Sequence, residues 1–121
     1  MGIYVGVRGW LQCDERQLAA IRAIIAAHDD GHYSNGWGWP RRHINWTHYV
    51  FFGADIRERA VDALLAQVRE IAQLPASDED GDRVTGLFFA THESDGMTEW
   101  QIREGQVFVT PGDGRYDYLD A

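Results

Sequence analysis

The chain has no lysine: all eleven of its basic residues are arginine. It has one cysteine, Cys13, which excludes an internal disulfide, so any fold must be held by its core. Cys13 reads as a small buried strand residue, because no activating base can be placed beside it. No apolar run approaches the roughly 18 residues of a membrane span. Met1 is followed by neither a positive leader nor an apolar stretch of secretory length. Val7 stands where a myristoylation signal needs Ser or Thr. The expectation is a cytoplasmic protein with no membrane attachment. Zinc-protease and cysteine-pair motifs are missing, and the glycines of 36–40 are not followed by the Gly-Lys-Ser of a phosphate loop. The expectation is a protein without catalytic residues, metal or cofactor.

What is present suffices for one domain spanning residues 1–121. A chain of 121 residues buries roughly two-thirds of its unfolded surface. The 45% hydrophobic content, with 12% aromatics, is that of a globular protein. Charge is unevenly placed. Residues 1–77 hold eight acids and eight arginines, whereas 78–121 hold eleven acids and three arginines, so the whole net charge of −8 lies in the last third. That sign argues against direct nucleic-acid binding, which draws its affinity from Lys and Arg. It favours a basic partner, since complementary fields speed encounter.

The pattern of residues predicts the elements. Ile3, Val5, Val7, Leu11 and Cys13 alternate with Tyr4, Arg8, Trp10 and Gln12, as in a strand with one apolar face. Gly6 and Gly9 mark a bulge or a close backbone approach. Asp14 and Gln17 form a capping-box pair ahead of Leu18, Ile21, Ile24 and Ile25 at helical spacing. Gly31 is the natural stop. A strand over 44–52, apolar on both faces, belongs near the middle of a sheet. Asp55 and Glu58 repeat the capping pattern before a second helix. Its stripe is Ile56, Ala60, Val61, Leu64, Leu65, Val68, Ile71 and Ala72, with Gln67 among the residues of its exposed side. After the acidic linker 76–83, short strands are expected over 84–91, 98–103 and 106–110, with turns at Asp95-Gly96 and Glu104-Gly105. The fold class is α+β, in the order strand-helix-strand-helix-strand-strand-strand. Two helices cover one face of a sheet of about five strands, a two-layer sandwich. The other face stays open and carries Tyr4, Arg8, Trp10, Trp46 or Tyr49, and Trp100 or Gln101. An open face bearing aromatics is how a partner-binding surface is built.

Residues 28–53 hold four of the five histidines and three of the five tryptophans. His28, Asp29, Asp30, His32, His43 and His48 suggest a metal, but turn and cap hydrogen bonds account for them better. His92-Glu93-Ser94-Asp95 offers an acid–base pair or an ordinary hairpin loop. Asp78-Glu79-Asp80-Gly81-Asp82 lacks the ligand spacing of a calcium loop. Arg41-Arg42 is expected to pair with Asp29 or Asp30. Trp37 and Trp39 share a face if the segment is extended. The expected division has Trp39 closing the core and Trp37 held out for a partner.

In size and character the chain resembles the immunity proteins of bacterial polymorphic-toxin and contact-dependent inhibition systems. The resemblance rests on a small acidic α+β domain, the Trp-rich loop Gly36 to Pro40 and the segment Asn45-Trp46-Thr47-His48-Tyr49. It implies a protein that binds a secreted toxin domain inside its own cell and blocks it by occlusion. Those of the toxins that are nucleases are often basic, which suits the acidic third of this chain. The expected partner-binding residues are the anchors Tyr33, Trp37 and Trp39. The acids Asp78, Glu79, Asp80, Asp82, Asp113 and Asp117 are expected to steer the encounter. The alternatives are a small enzyme or small-ligand binder with an aromatic pocket near residues 28–49, and a homo-oligomer joined through its open sheet face.

Overall fold

The computed structural model describes residues 2–29, 33–41 and 46–120. Two α-helices pack on one face of a six-stranded antiparallel sheet, so the α+β two-layer class holds. The strands are β1 (Tyr4–Cys13), β2 (Trp37–Gly38), β3 (His48–Arg57), β4 (Thr85–His92), β5 (Gly96–Arg103) and β6 (Gln106–Pro111). The helices are α1 (Glu15–Ala27) and α2 (Val61–Ala72). The sheet order is β2-β3-β1-β4-β5-β6, which puts β1 in the interior between β3 and β4. The strand expected over 44–52 lies second from the edge, flanked outside by the two-residue β2, which the sequence reading lacks. No helix among the described residues is long and apolar enough to cross a membrane.

The capping box at α1 forms as read. The Asp14 carboxylate accepts the Gln17 amide at 2.8 Å, and the Gln17 side chain accepts the Asp14 amide at 3.0 Å. Gln17 does more than cap. It is buried, and its amide nitrogen donates to the carbonyls of Asp82 at 3.0 Å and Pro75 at 3.4 Å. Ser77 also donates to the second carboxylate oxygen of Asp14. The acidic linker is thereby tied to the start of α1.

The second expected cap does not form. β1 offers ladder partners as far as Tyr4 opposite Arg57, so β3 runs on through Asp55. Sheet pairing prevails over the cap, and α2 is entered through a 3-10 turn, Glu58–Ala60, without a side-chain cap. The core side of α2 includes Leu64, Val68 and Ile71 as expected, but also Gln67, read as exposed and found buried. Val5 and Val7 are buried, whereas Ile3, before the strand begins, is 41% exposed. The Glu104-Gly105 turn has positive φ at both residues, 55° and 75°, the type I′ geometry that matches strand twist.

Two adjacent rows of side chains cross the sheet on opposite faces. The helix-side row runs Trp37, Phe52, Gly9, Phe88, Trp100, Val109 in ladder register. Its rings touch in series. Trp37 meets Phe52 edge-on at 4.9 Å, Phe52 meets Phe88 at 6.4 Å, and Phe88 stacks on Trp100 at 6.0 Å. Gly9 makes this possible: a Cβ there would lie 2.7 Å from the Phe88 ring and 2.6 Å from the Phe88 Cα. The glycine therefore marks a close approach. There is no bulge, since Tyr4 to Cys13 pair one-to-one with Arg57 to His48.

Candidate functional site

The second row lies on the face that the helices leave open. Each of its residues is chain neighbour to one in the core row, because side chains alternate across a strand. It runs Phe51, Trp10, Leu87, Gln101, Phe108 in register across five strands. Tyr49, one pleat further along β3, stacks on Phe51 at 6.2 Å between ring centroids. Tyr49 and Phe51 are 40% and 48% exposed, while Trp10, Leu87 and Phe108 are half-buried by their neighbours. The open choices of the sequence reading are thereby settled. Tyr49 and Gln101 face outward, and Trp100 is in the core.

Polar side chains frame the apolar row. Arg103 lies over the Phe108 ring at 4.1 Å and donates to Gln101 at 3.1 Å. Arg57 lies over Tyr4 at 5.3 Å. The segment after β6 crosses back over part of the same face. Gly112 donates to the Met97 carbonyl at 2.8 Å, and Tyr116 packs on Phe89 at 5.0 Å. Among the described residues, the half of the face formed by β3, β1 and the start of β4 is left as its uncovered aromatic surface.

Tyr33, Trp37 and Trp39 do not form an exposed cluster. β2 pairs Trp37 with Phe52, which turns the Trp37 indole to the helix side, where it is buried. Trp39, two residues on, points the same way as expected, half-buried with the Arg22 guanidinium over its ring at 5.2 Å. Trp37, expected to be held out for a partner, is therefore in the core, while Trp39 packs partly buried against that core as expected. Tyr33 is half-buried, and its hydroxyl accepts the Arg57 amide at 3.1 Å. The exposed tryptophan is instead Trp46, 90% accessible just before β3. It lines a cleft with Gln12, Asp78, Asp82 and Arg83. Its signal in the sequence was masked by the strand-like composition around it.

The six acids expected to steer an encounter are all exposed. Asp78, Asp80 and Asp82 bring carboxylate oxygens within 4.8 Å of one another, and Asp78 accepts the Asp80 amide at 3.1 Å, the bond of an Asx turn. Asp113 is paired with Arg115 at 2.7 Å. The Arg115 amide, and then its side chain, hold the Asp113 carboxyl below the usual carboxylate range.

Among the described residues, the histidines do not converge. His28 ends α1 and pairs with Glu70 at 2.8 Å. The His48 carbonyl accepts the Cys13 thiol at 3.7 Å. Asp30, Gly31 (the expected helix stop), His32, Arg42, His43, Ile44 and Asn45 lie outside the described residues. Among the described residues, Glu58, His92 and Asp95 do come together, with ligand atoms within 4.8 Å. Yet His92 Nδ1 accepts the amides of Ser94 at 3.0 Å and Asp95 at 3.1 Å. The neutral ring must then carry its proton on Nε2, which donates to Glu58. Both nitrogens are engaged in fixing a hairpin loop to the start of α2. Burial pushes the Cys13 thiol up to about 12, with the Asp14 charge adding to it, so this cysteine is protonated and unreactive.

No protein-family model, no curated protein and no solved structure matches this chain.

Proposed function

We propose that this protein is a stoichiometric inhibitor, an immunity protein that neutralises a cognate secreted toxin domain by covering it. The contact surface is the uncovered half of the open sheet face. The supporting observation is the outward row Phe51–Trp10–Leu87 with Tyr49 beside it, on the side without helices. An accessible aromatic patch framed by arginine and polar groups has the composition of a binding hot spot and its rim. Trp46 and the acids Asp78 and Asp82 stand where β1 and β3 meet at one end of the sheet, around the same cleft. They add an electrostatic rim suited to a basic partner, which raises the association rate more than the final affinity.

Identifying the protein encoded immediately upstream, which the proposal expects to be secreted with a toxic C-terminal domain, and co-expressing that domain with this chain tests the proposal. The expected result is growth protection and a complex on size-exclusion chromatography. Phe51→Glu and Trp10→Ala should abolish both while the free protein still folds. Joint neutralisation of Asp78, Glu79, Asp80 and Asp82 should slow association and weaken its salt dependence. A complex that survives both face variants overturns the assignment of the face. A neighbouring domain that is neither toxic nor bound overturns the immunity reading.

A further inference from the structure

β6 ends the sheet, and no described strand pairs with its outer side. Proteins usually protect such an edge with lysine, an inward charge, a bulge or a covering element. β6 runs Gln-Val-Phe-Val-Thr-Pro, without one charged side chain, in a protein of net charge −8. It pairs one-to-one with β5 and has no bulge. The chain beyond it turns inward over the open face, where Tyr116 packs on Phe89 of β4, and leaves the edge uncovered. The opposite edge differs, since β2 is only two residues long.

The hairpin decides which backbone groups this edge presents. Around the two-residue turn Glu104-Gly105, the flanking pair Arg103–Gln106 exchanges both of its hydrogen bonds. Bonded and non-bonded pairs then alternate. Gln106, Phe108 and Thr110 turn N–H and C=O towards β5, whereas Val107, Val109 and Pro111 turn theirs outward. Gly112 has the matching phase, for it donates to the Met97 carbonyl at 2.8 Å. Pro111 has no N–H. The free edge therefore carries two complete donor–acceptor sets, on Val107 and Val109, between the turn at one end and Pro111 at the other.

We infer that this edge pairs antiparallel with the β6 edge of a second copy, joining two six-stranded sheets into one continuous sheet about a twofold axis. With the axis beside Phe108, Val107 faces Val109 of the second copy, and Val109 faces its Val107. Both are bonded pairs, so every outward N–H and C=O of these valines finds a partner. A slide by two residues breaks the match. In one direction Val107 meets Pro111, which has no N–H to give, and in the other Val109 meets the turn. The side chains agree with the same register. Phe108 meets Phe108 and Gln106 meets Thr110 on the open face, valine meets valine on the helix face, and no like charges oppose one another. The end of α2 lies at the hairpin end of β6, with the Ala72 carbonyl 3.8 Å from where a Cβ on Gly105 would be. Val109, at the other end, is 43% exposed. Antiparallel pairing sets each uncovered Val109 beside the half-buried Val107 of the other copy. The edge is remote from Phe51 and Trp10, so the inference stands apart from the partner-binding face proposed above.

Sedimentation equilibrium of the full chain tests the dimer. The expected result is a molar mass that doubles as concentration rises. Each copy carries −8, so added salt should strengthen self-association by screening the repulsion, the reverse of its effect on capture of a basic partner. Val109→Lys, at an exposed position, should keep the circular dichroism of the fold and weaken the dimer by roughly tenfold or more. Cross-linking reads the register. Gln106→Cys in one copy faces Thr110→Cys in the other across a non-bonded pair, where Cα atoms stand about 4.5 Å apart, within reach of a disulfide. Under mild oxidation the two single variants should cross-link when mixed, and neither should do so alone. Cys13 is buried and takes no part. A chain that stays monomeric at every concentration and salt overturns the inference. So does a dimer that is equally strong in Val109→Lys, and its loss in Phe51→Glu would place the contact on the open face instead. Cross-linking of Gln106→Cys with itself overturns the register.

Discussion

The rings of Phe52 and Phe88 meet at 6.4 Å although a whole strand, β1, lies between their own. They can do so because the residue between them in register is Gly9, which has no side chain to keep them apart. The aromatic series from Trp37 to Trp100 therefore crosses the sheet without a gap, and Gly9 is its keystone. Close packing of this kind transmits small changes in volume.

Gly9→Ala should destabilise the fold by about 1–3 kcal/mol, the usual cost of overpacking a core. The added methyl meets the Phe88 backbone and ring together, so no rotamer of Phe88 alone relieves it. Urea unfolding measures the loss. A variant as stable as the wild type would mean that the two rings do not close over this position.

Trp37 and Trp46 should separate cleanly. Trp37→Ala removes a buried ring in contact with Phe52 and Phe88 and should cost about 3–5 kcal/mol. Trp46→Ala removes a ring that is 90% exposed and should change stability by less than about 0.5 kcal/mol. Near-ultraviolet circular dichroism and thermal melts of both variants give the comparison. An unfolded Trp46→Ala protein would contradict the placement of that side chain.

The cap of α1 and the acidic linker should act as one unit. Asp14→Ala should cost about 0.5–2 kcal/mol, the range for losing an N-cap. Gln17→Ala should cost a comparable amount, and also raise hydrogen exchange between Pro75 and Asp82, because it frees their carbonyls. The double variant should lose less than the sum, since both residues complete the same box. Burial opposes ionisation of Asp14. The amides of Gln17 and Arg16, the Ser77 hydroxyl and the Arg16 charge outweigh it and hold the carboxyl below its ordinary 3.8. Its contribution to stability is therefore present above that value and disappears as pH falls through the lower native one.

His92 should titrate above its ordinary 6.5. The hydrogen bond to Glu58 is the main cause, opposed by desolvation and helped by the charges of Asp95, Glu58 and Glu93. For a raised pKa the sign is the reverse of the Asp14 case. The contribution is complete below 6.5 and fades as pH rises through the native value. NMR titration of the imidazole protons reads the pKa directly, and Glu58→Gln should lower it. An unchanged value in Glu58→Gln would assign the shift to the other carboxylates.

Cys13 should resist alkylation in the native protein. Its thiol is buried and pushed up to about 12, so mildly alkaline iodoacetamide finds almost no thiolate. Labelling should follow unfolding and accelerate with denaturant. Fast labelling without denaturant would place the end of β1 nearer to solvent than its burial indicates.

The sequence by itself determined what local periodicity and local chemistry can specify. Alternation through Val5, Val7, Leu11 and Cys13 defined β1 and its inner face, and Asp14 with Gln17 defined the start of α1. The helical stripe through Leu64, Val68 and Ile71 defined α2, and two helices can cover only one face, so an open sheet face followed. These are interactions between residues a few positions apart, and they leave their period in the chain. Pairing between distant strands decided the rest. Trp37 lies inside because β2 docks on Phe52, and Asp55 is in a strand because β1 reaches Tyr4. Gln67 is buried on the core side of α2 and lines a cavity there, which no periodicity encodes. The outward row Phe51–Trp10–Leu87 is assembled from three strands, and only the ladder registers bring its members together. β3 supplies Phe51 and Tyr49, β1 supplies Trp10 and β4 the aliphatic Leu87, too few in any one strand to signal a surface until the sheet is formed.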